Sequence, residues 1–382
     1  MVDQSTQMQV RILANPHVSD PMSPIVPDRA PLAFHRQLPG YAPTPLIDAP
    51  GVARRLGVAR VLVKHESQRF GLPAFKVLGA SWAIYRALQE SLGSFDPERT
   101  IDDLRAQVQP LLPITLVAAT DGNHGRAVAR VGGWLGLSSR IYVPEEMVEA
   151  RRAAIRGEGA ELIVVHGSYE DAVARAAADA NARTLVIADT AWEGYETVPR
   201  WVIDGYSTIL WEIEDQLAEL GAPQPDAIAA QMGVGALAAA ITSHYRQSPS
   251  LRPRITGVEP ATAACVLASI EADHLVEVPG PHGSIMAGLN CGYPSLVAWP
   301  TVSTGINQFV AIGDEWARES MRALAAEGIV AGETGGAGLA GLLAIASDPD
   351  ARERAGLTPD ATVLLIVSEG ATDPEAYARI VG

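Results

Sequence analysis

Lysine is nearly missing from this chain. Of 29 basic residues in 382, two are lysine, Lys64 and Lys76, and the rest are arginine. Surface positive charge is therefore left to guanidinium groups, and a retained amine calls for a chemical reason. Arginine stays protonated, whereas a desolvated lysine can lose its proton and attack a carbonyl. Cysteine is nearly missing too. Cys265 and Cys291 offer neither a disulfide framework nor a zinc spacing. They read as inert buried thiols in a reducing compartment, the cytoplasm. Basic patches are wanting: the net charge is −15, which argues against a nucleic-acid partner. Long apolar runs are absent. The stretch from Ala227 to Ile241 is short and broken by Gln231, Gly233 and Gly235, so no membrane span is expected. Met1 to Thr6 lacks the charged-then-apolar pattern of a signal peptide. The eight histidines show no ligand spacing with one another or with cysteine, and no metal is expected.

What is present is a large apolar fraction, 48%, ample for two cores. From residue 114 onward, apolar strands alternate with amphipathic helices. The strands fall at 114–119, 140–143, 161–165, 184–188, 226–230, 254–258 and 361–367, with an earlier one at 60–64. Continuous apolar strands between amphipathic helices imply parallel sheets covered on both faces. The expected architecture is α/β, with two doubly wound, mostly parallel sheet domains and a cleft between them. Residues 1–78 and 200–382 would form the larger domain and 79–199 the smaller. Residues 1 to about 45 are rich in proline and read as an arm laid over the fold.

Five stretches interrupt this regularity at the carboxyl ends of strands or the starts of helices, where open α/β sheets bind ligands. The first is Gly71-Leu72-Pro73-Ala74-Phe75-Lys76, with Lys76 at a helix N-terminus whose dipole disfavours a charged amine. The second is Ala119-Thr120-Asp121-Gly122-Asn123-His124-Gly125. It is also readable as an Asp-Gly turn with Asn123 as cap. The third, Asp189-Thr190-Ala191-Trp192-Glu193-Gly194-Tyr195, packs two acids and two aromatics into seven residues. Such a loop suits a polar ligand shielded from water; a capping aspartate beside a packed Trp–Tyr pair is the plainer alternative. The fourth, Gln231-Met232-Gly233-Val234-Gly235-Ala236, is a glycine turn opening a helix, which makes an anion site. Gly233, Gly235, Ala238 and Glu259 also have dinucleotide-binding spacing. That leaves a nicotinamide-dependent dehydrogenase as a reading from another class. The fifth is Val367-Ser368-Glu369-Gly370. A further turn, Glu333 to Gly338, is either a second anion site or tight packing.

Together with Ser284-Ile285-Met286-Ala287-Gly288-Leu289, these stretches resemble the fold type II enzymes that depend on pyridoxal phosphate, of tryptophan synthase β-like architecture. Within that group the chain is most similar to the diaminopropionate ammonia-lyase family, through Asp-x-Ala-Trp-Glu-Gly-Tyr at 189–195. The resemblance implies that Lys76 binds the cofactor covalently. It implies that Gly233, Val234, Gly235 and Ala236 hold its phosphate, Asn123 its ring hydroxyl and Ser368 its pyridine nitrogen. Thr120, Asp121, Asp189, Trp192 and Tyr195 would line the substrate, with Lys76, Asp121 and Asp189 as the catalytic set. Where cysteine synthase and the dehydratases carry a serine, this chain has Thr120 or Asp121, and an aspartate suits a substrate with a second ammonium. Pro73 departs from the polar residue expected in the lyase. The implied reaction is elimination from 2,3-diaminopropionate, a small amino acid, to pyruvate and ammonia by a homodimer. A serine/threonine dehydratase is the nearest alternative.

Overall fold

The computed structural model describes residues 8–19, 28–92, 100–120, 122–167, 169–247 and 252–382. Two compact units divide the chain. One comprises Met1–Pro27, Pro43–Gln68 and Ile209–Gly382, the other Asp28–Ala42 and Arg69–Thr208.

The first unit is built on a seven-stranded sheet in the order β1-β10-β9-β8-β11-β3-β2. Its strands are β1 (Val10–Ala14), β2 (Leu46–Asp48), β3 (Arg60–His65), β8 (Ala227–Gln231), β9 (Arg254–Pro260), β10 (Gln308–Ile312) and β11 (Thr362–Val367). The five inner strands run parallel, and the edge strands β1 and β2 pair antiparallel. Every residue of β8, β10 and β11 is buried. This is why β11 reads as the unbroken apolar run Thr-Val-Leu-Leu-Ile-Val rather than an alternation. One core cluster joins Val61, Val63, Val363, Leu365, Leu339 and Leu342.

The second unit carries a four-stranded, all-parallel sheet in the order β6-β5-β4-β7. Its strands are β4 (Thr115–Ala119), β5 (Ser138–Pro144), β6 (Glu161–Val165) and β7 (Thr184–Val186). Helices Lys76–Leu92 and Asn123–Leu135 pack on one another. Glycines let the N-terminal turns of Lys76–Leu92 meet Thr197–Leu220. A Cβ on Gly79 would lie 2.5 Å from Tyr206 Cε1, and one on Gly205 2.6 Å from Leu78 O.

The sequence reading of residues 1–45 as an overlying arm is corrected. β1 is a strand of the larger sheet, with Val10 opposite Ile312. Helix Ala30–His35 is part of the second unit, where buried His35 meets Thr208 Oγ1 at 2.7 Å and Leu78 O at 2.9 Å. The smaller unit accordingly includes Asp28–Ala42 as well as Arg69–Thr208. Among the described residues no helix is long and apolar enough to cross a membrane.

Candidate active site

Lys76 is the first residue of helix Lys76–Leu92. The turn before it is strained: Phe70, which is not glycine, has φ +54°, a conformation that costs free energy unless its surroundings impose it. Here Trp134 packs its edge at 5.6 Å and Arg130 Nη1 donates to the Phe70 carbonyl at 3.0 Å. Lys76 Nζ lies 2.6 Å from Asp189 Oδ2, with the Phe75 ring 5.5 Å away. The sequence argument from the helix dipole is thereby offset by a carboxylate that pairs with the amine. Asp189 is buried, which by itself pushes its pKa up. The Lys76 ammonium, and the His124 ring at the low pH where it is protonated, outweigh burial and hold it well below the carboxylate range.

The three residues leading into Asp189 are pinned by side chains. The Tyr195 hydroxyl donates to Val186 O at 2.6 Å and accepts from Ala188 N at 3.2 Å. His124 Nε2 meets Ile187 O at 2.7 Å. Trp192 stacks on Tyr195 at 4.2 Å and 14°. Both hydrogen bonds of the Tyr195 hydroxyl go to backbone, which leaves its ring as the part that could line a substrate. Thr120 also has partners in the backbone. Its Oγ1 accepts from Gly122 N at 2.9 Å and Gly125 N at 3.0 Å, so it caps helix Asn123–Leu135. Asn123 is half-buried at the first position of that helix, beyond the cap. Asp121 lies outside the described residues. His124 is a neighbour of Asp189 that the sequence did not single out. Its ring sits 3.8 Å from Asp189 Oδ2, and spacing along the chain gives no signal of it, because its partners are more than sixty residues away.

In the seven-stranded unit, Gly233-Val234-Gly235 leads from β8 into helix Ala236–Arg246. Gly235 takes φ +95°, and no side chain caps the helix. A Cβ on Gly233 would meet Cys291 Sγ at 3.0 Å and Gly288 O at 3.2 Å, so this turn offers bare backbone. Such a helix start favours an anion. Ser368, just after β11, accepts a hydrogen bond from Gln231 Nε2 at 2.9 Å; the same nitrogen donates to Ile366 O at 2.8 Å. With its acceptor side engaged, the Ser368 hydroxyl has its own proton to donate. Gln231 is a second residue whose role the sequence did not disclose.

The dinucleotide pattern fails on Glu259. Its two carboxylate oxygens accept from Val266 N and Leu267 N, both at 2.8 Å, and the residue is fully buried. Burial pushes its pKa up to about 8 against those two donors. A carboxylate so engaged is not offered to a ribose. The glycines near residue 335 serve close packing: a Cβ on Gly335 would lie 2.1 Å from Glu369 O.

Residues 37–369 match the family model described as pyridoxal-phosphate dependent enzyme. This chain belongs to that family.

Among curated relatives of this pyridoxal-phosphate family, diaminopropionate ammonia-lyase of Salmonella typhimurium is 36% identical over 371 residues, covering 92% of this chain and 90% of the relative. The crystal structure of the Escherichia coli diaminopropionate ammonia-lyase with D-serine matches with TM-score 0.90 and 34% identity, over 98% of this chain and 97% of that one. A biosynthetic L-threonine dehydratase of Mycobacterium bovis is 28% identical over 69% of this chain and 58% of its own length. The residues fit the family's cofactor. Each unit taken by itself has groups of the right chemistry: in the smaller, Lys76 is an amine that could condense with an aldehyde, and in the larger, the turn at 233–236 is a helix start suited to a phosphate and Ser368 has a hydroxyl proton that could be donated to a ring nitrogen.

Proposed function

We propose that this protein catalyses the α,β-elimination of 2,3-diaminopropionate, with one water consumed and pyruvate and two molecules of ammonia formed. The observation that carries this reading is the buried Asp189 carboxylate held 2.6 Å from the Lys76 amine, in a chain so similar to diaminopropionate ammonia-lyases. The bound pyridoxal phosphate supplies an electron sink for the electrons left when the α-proton departs.

The chain's own residues do the rest. Lys76 holds the cofactor and, once released, is the base for the α-proton. Asp189 faces an ammonium group of the substrate, and Asp121 is the second acid that the family resemblance assigns to it. A leaving amine must go as neutral ammonia, so a carboxylate that orients an ammonium and keeps it protonated favours this substrate over serine. Trp192, stacked on Tyr195, covers the apolar side. The N–H groups at Gly233, Val234, Gly235 and Ala236 bind the phosphate, Asn123 the ring hydroxyl and Ser368 the ring nitrogen. A hydroxyl there leaves that nitrogen unprotonated, which suits elimination. A cytoplasmic homodimer completes the reading; the relatives' family membership and the reducing-compartment composition support it.

The test is pyruvate release from D- and L-2,3-diaminopropionate beside L-serine, in wild type and Lys76→Ala. Release from diaminopropionate that disappears in Lys76→Ala is expected, with a yellow chromophore in wild type alone. A preference for serine would move the protein to the dehydratases.

A further inference from the structure

One buried ionisable side chain has no part in the scheme above. His124 is the second residue of helix Asn123–Leu135 and is 3% exposed. Its Nε2 faces the Ile187 carbonyl at 2.7 Å. A carbonyl only accepts, so Nε2 carries a hydrogen in either protonation state of the ring. Nδ1 of the neutral ring is then a bare lone pair, and no hydrogen bond reaches it among the described residues. It points to Asp189 Oδ2 at 3.8 Å. That oxygen is the one that takes the Lys76 ammonium at 2.6 Å.

One carboxylate oxygen thus faces two nitrogens. With Lys76 as ammonium, Asp189 ionised and His124 neutral, the charges of the three groups cancel. Lys76 gives up that charge when its nitrogen acts as a neutral amine, as nucleophile or as base. A buried carboxylate left without its cation is strongly disfavoured. A proton on Nδ1 restores the cancellation. It leaves Lys76 Nζ and ends on His124 Nδ1, with Asp189 Oδ2 between them, and no other reagent is needed. Closing 3.8 Å to hydrogen-bond length takes about 1 Å of ring or carboxylate movement.

We propose that His124 is the reserve cation of Asp189, accepting a proton on Nδ1 when Lys76 gives up its charge. It is a positioning residue: it keeps the Asp189 carboxylate ionised and aimed at the substrate's ammonium. The proposal rests on the reading of Lys76 as the cofactor lysine. Among the described residues, the charged groups that bear on the ring are Asp189, which follows β7, and Lys76 on its own helix. Burial lowers the ring's pKa, Asp189 pulls it up and the Lys76 ammonium pushes it down again. Removing the lysine charge therefore removes an opposing influence.

The experiment follows the imidazole nitrogen resonances of the full-length protein against pH, with His124→Gln identifying the signal. The His124 midpoint is expected to rise by about one pH unit or more in Lys76→Met relative to wild type freed of cofactor. Should Lys76→Met not fold, Asp189→Asn serves: its ring is expected to stay neutral to lower pH than wild type. An unmoved midpoint beside a bound yellow chromophore overturns the assignment and leaves the cofactor lysine standing. Absence of any bound chromophore overturns both.

Discussion

Tyr195 shows how a side chain at a reactive site can serve the backbone rather than the ligand. Its side chain is half-buried, its pKa is raised by the loss of solvent around the phenol, and the retained proton donates to Val186 O while the oxygen accepts from Ala188 N. Tyr195→Phe keeps the ring stacked on Trp192 and removes both bonds. The expected result is a loss of about 1–3 kcal/mol of stability, read from urea denaturation. A fall in kcat with KM for diaminopropionate unchanged should accompany it, since Asp189 loses its aim. A raised KM at full stability would return Tyr195 to the substrate. Lys76 and Asp189, which the structure brings within 2.6 Å of each other, could be singled out in the sequence because their residue types stand in short motifs at strand and helix ends. His124 and Gln231 could not, because what marks them out is a carbonyl or hydroxyl far along the chain: Ile187 for the first, Ile366 and Ser368 for the second. The local bonds of Thr120 were hidden for a related reason. A threonine before an Asx-Gly turn looks exposed, and its capping bonds to Gly122 and Gly125 exist once the helix has formed.

Among the elements, helix Lys76–Leu92 depends on how closely its first turns are approached. Gly205 lies where a Cβ would meet a backbone oxygen, Leu78 O, at 2.6 Å and Gly79 Cα at 2.9 Å. Backbone cannot yield as a flexible side-chain tip does, so Gly205→Ala should push the two helices apart. A cost of about 1–3 kcal/mol is expected from such overpacking. A weaker equilibrium affinity for pyridoxal phosphate should accompany it, since Lys76 moves with its helix. Thermal denaturation and cofactor titration would check both, and unchanged affinity would mean that Lys76 is held by its loop alone. Elements of this kind were mostly legible. β11 and β8 are unbroken apolar runs because parallel inner strands are buried on both faces. β10 escaped because its five residues open on a buried glutamine, Gln308, whose amide reaches Thr256 and Ala351 O. β1 escaped because an edge strand, with Arg11 and Ala14 exposed, carries a weak pattern.

For the molecule as a whole, the larger sheet is closed at one side by β1, which pairs along its whole length with β10. All five residues of β10 are buried. A chain lacking residues 8–16 would expose a strand edge with unpaired N–H and C=O groups, a template for association. Light scattering after size exclusion should then show larger species than for the full chain, and an identical profile would show that the edge needs no cover. The order of the strands also bears on how the protein is made. β11 comes last of the strands in the chain yet lies between β8 and β3 in the sheet. On a ribosome, β3 waits for its parallel neighbour while roughly 300 further residues are added, on the order of 15–60 s of synthesis. The four strands of the smaller sheet, between Thr115 and Val186, all emerge within that interval. The smaller unit can therefore fold on the nascent chain. The larger one stays open at its centre, with Val61, Leu62 and Val63 unshielded, until translation is almost over.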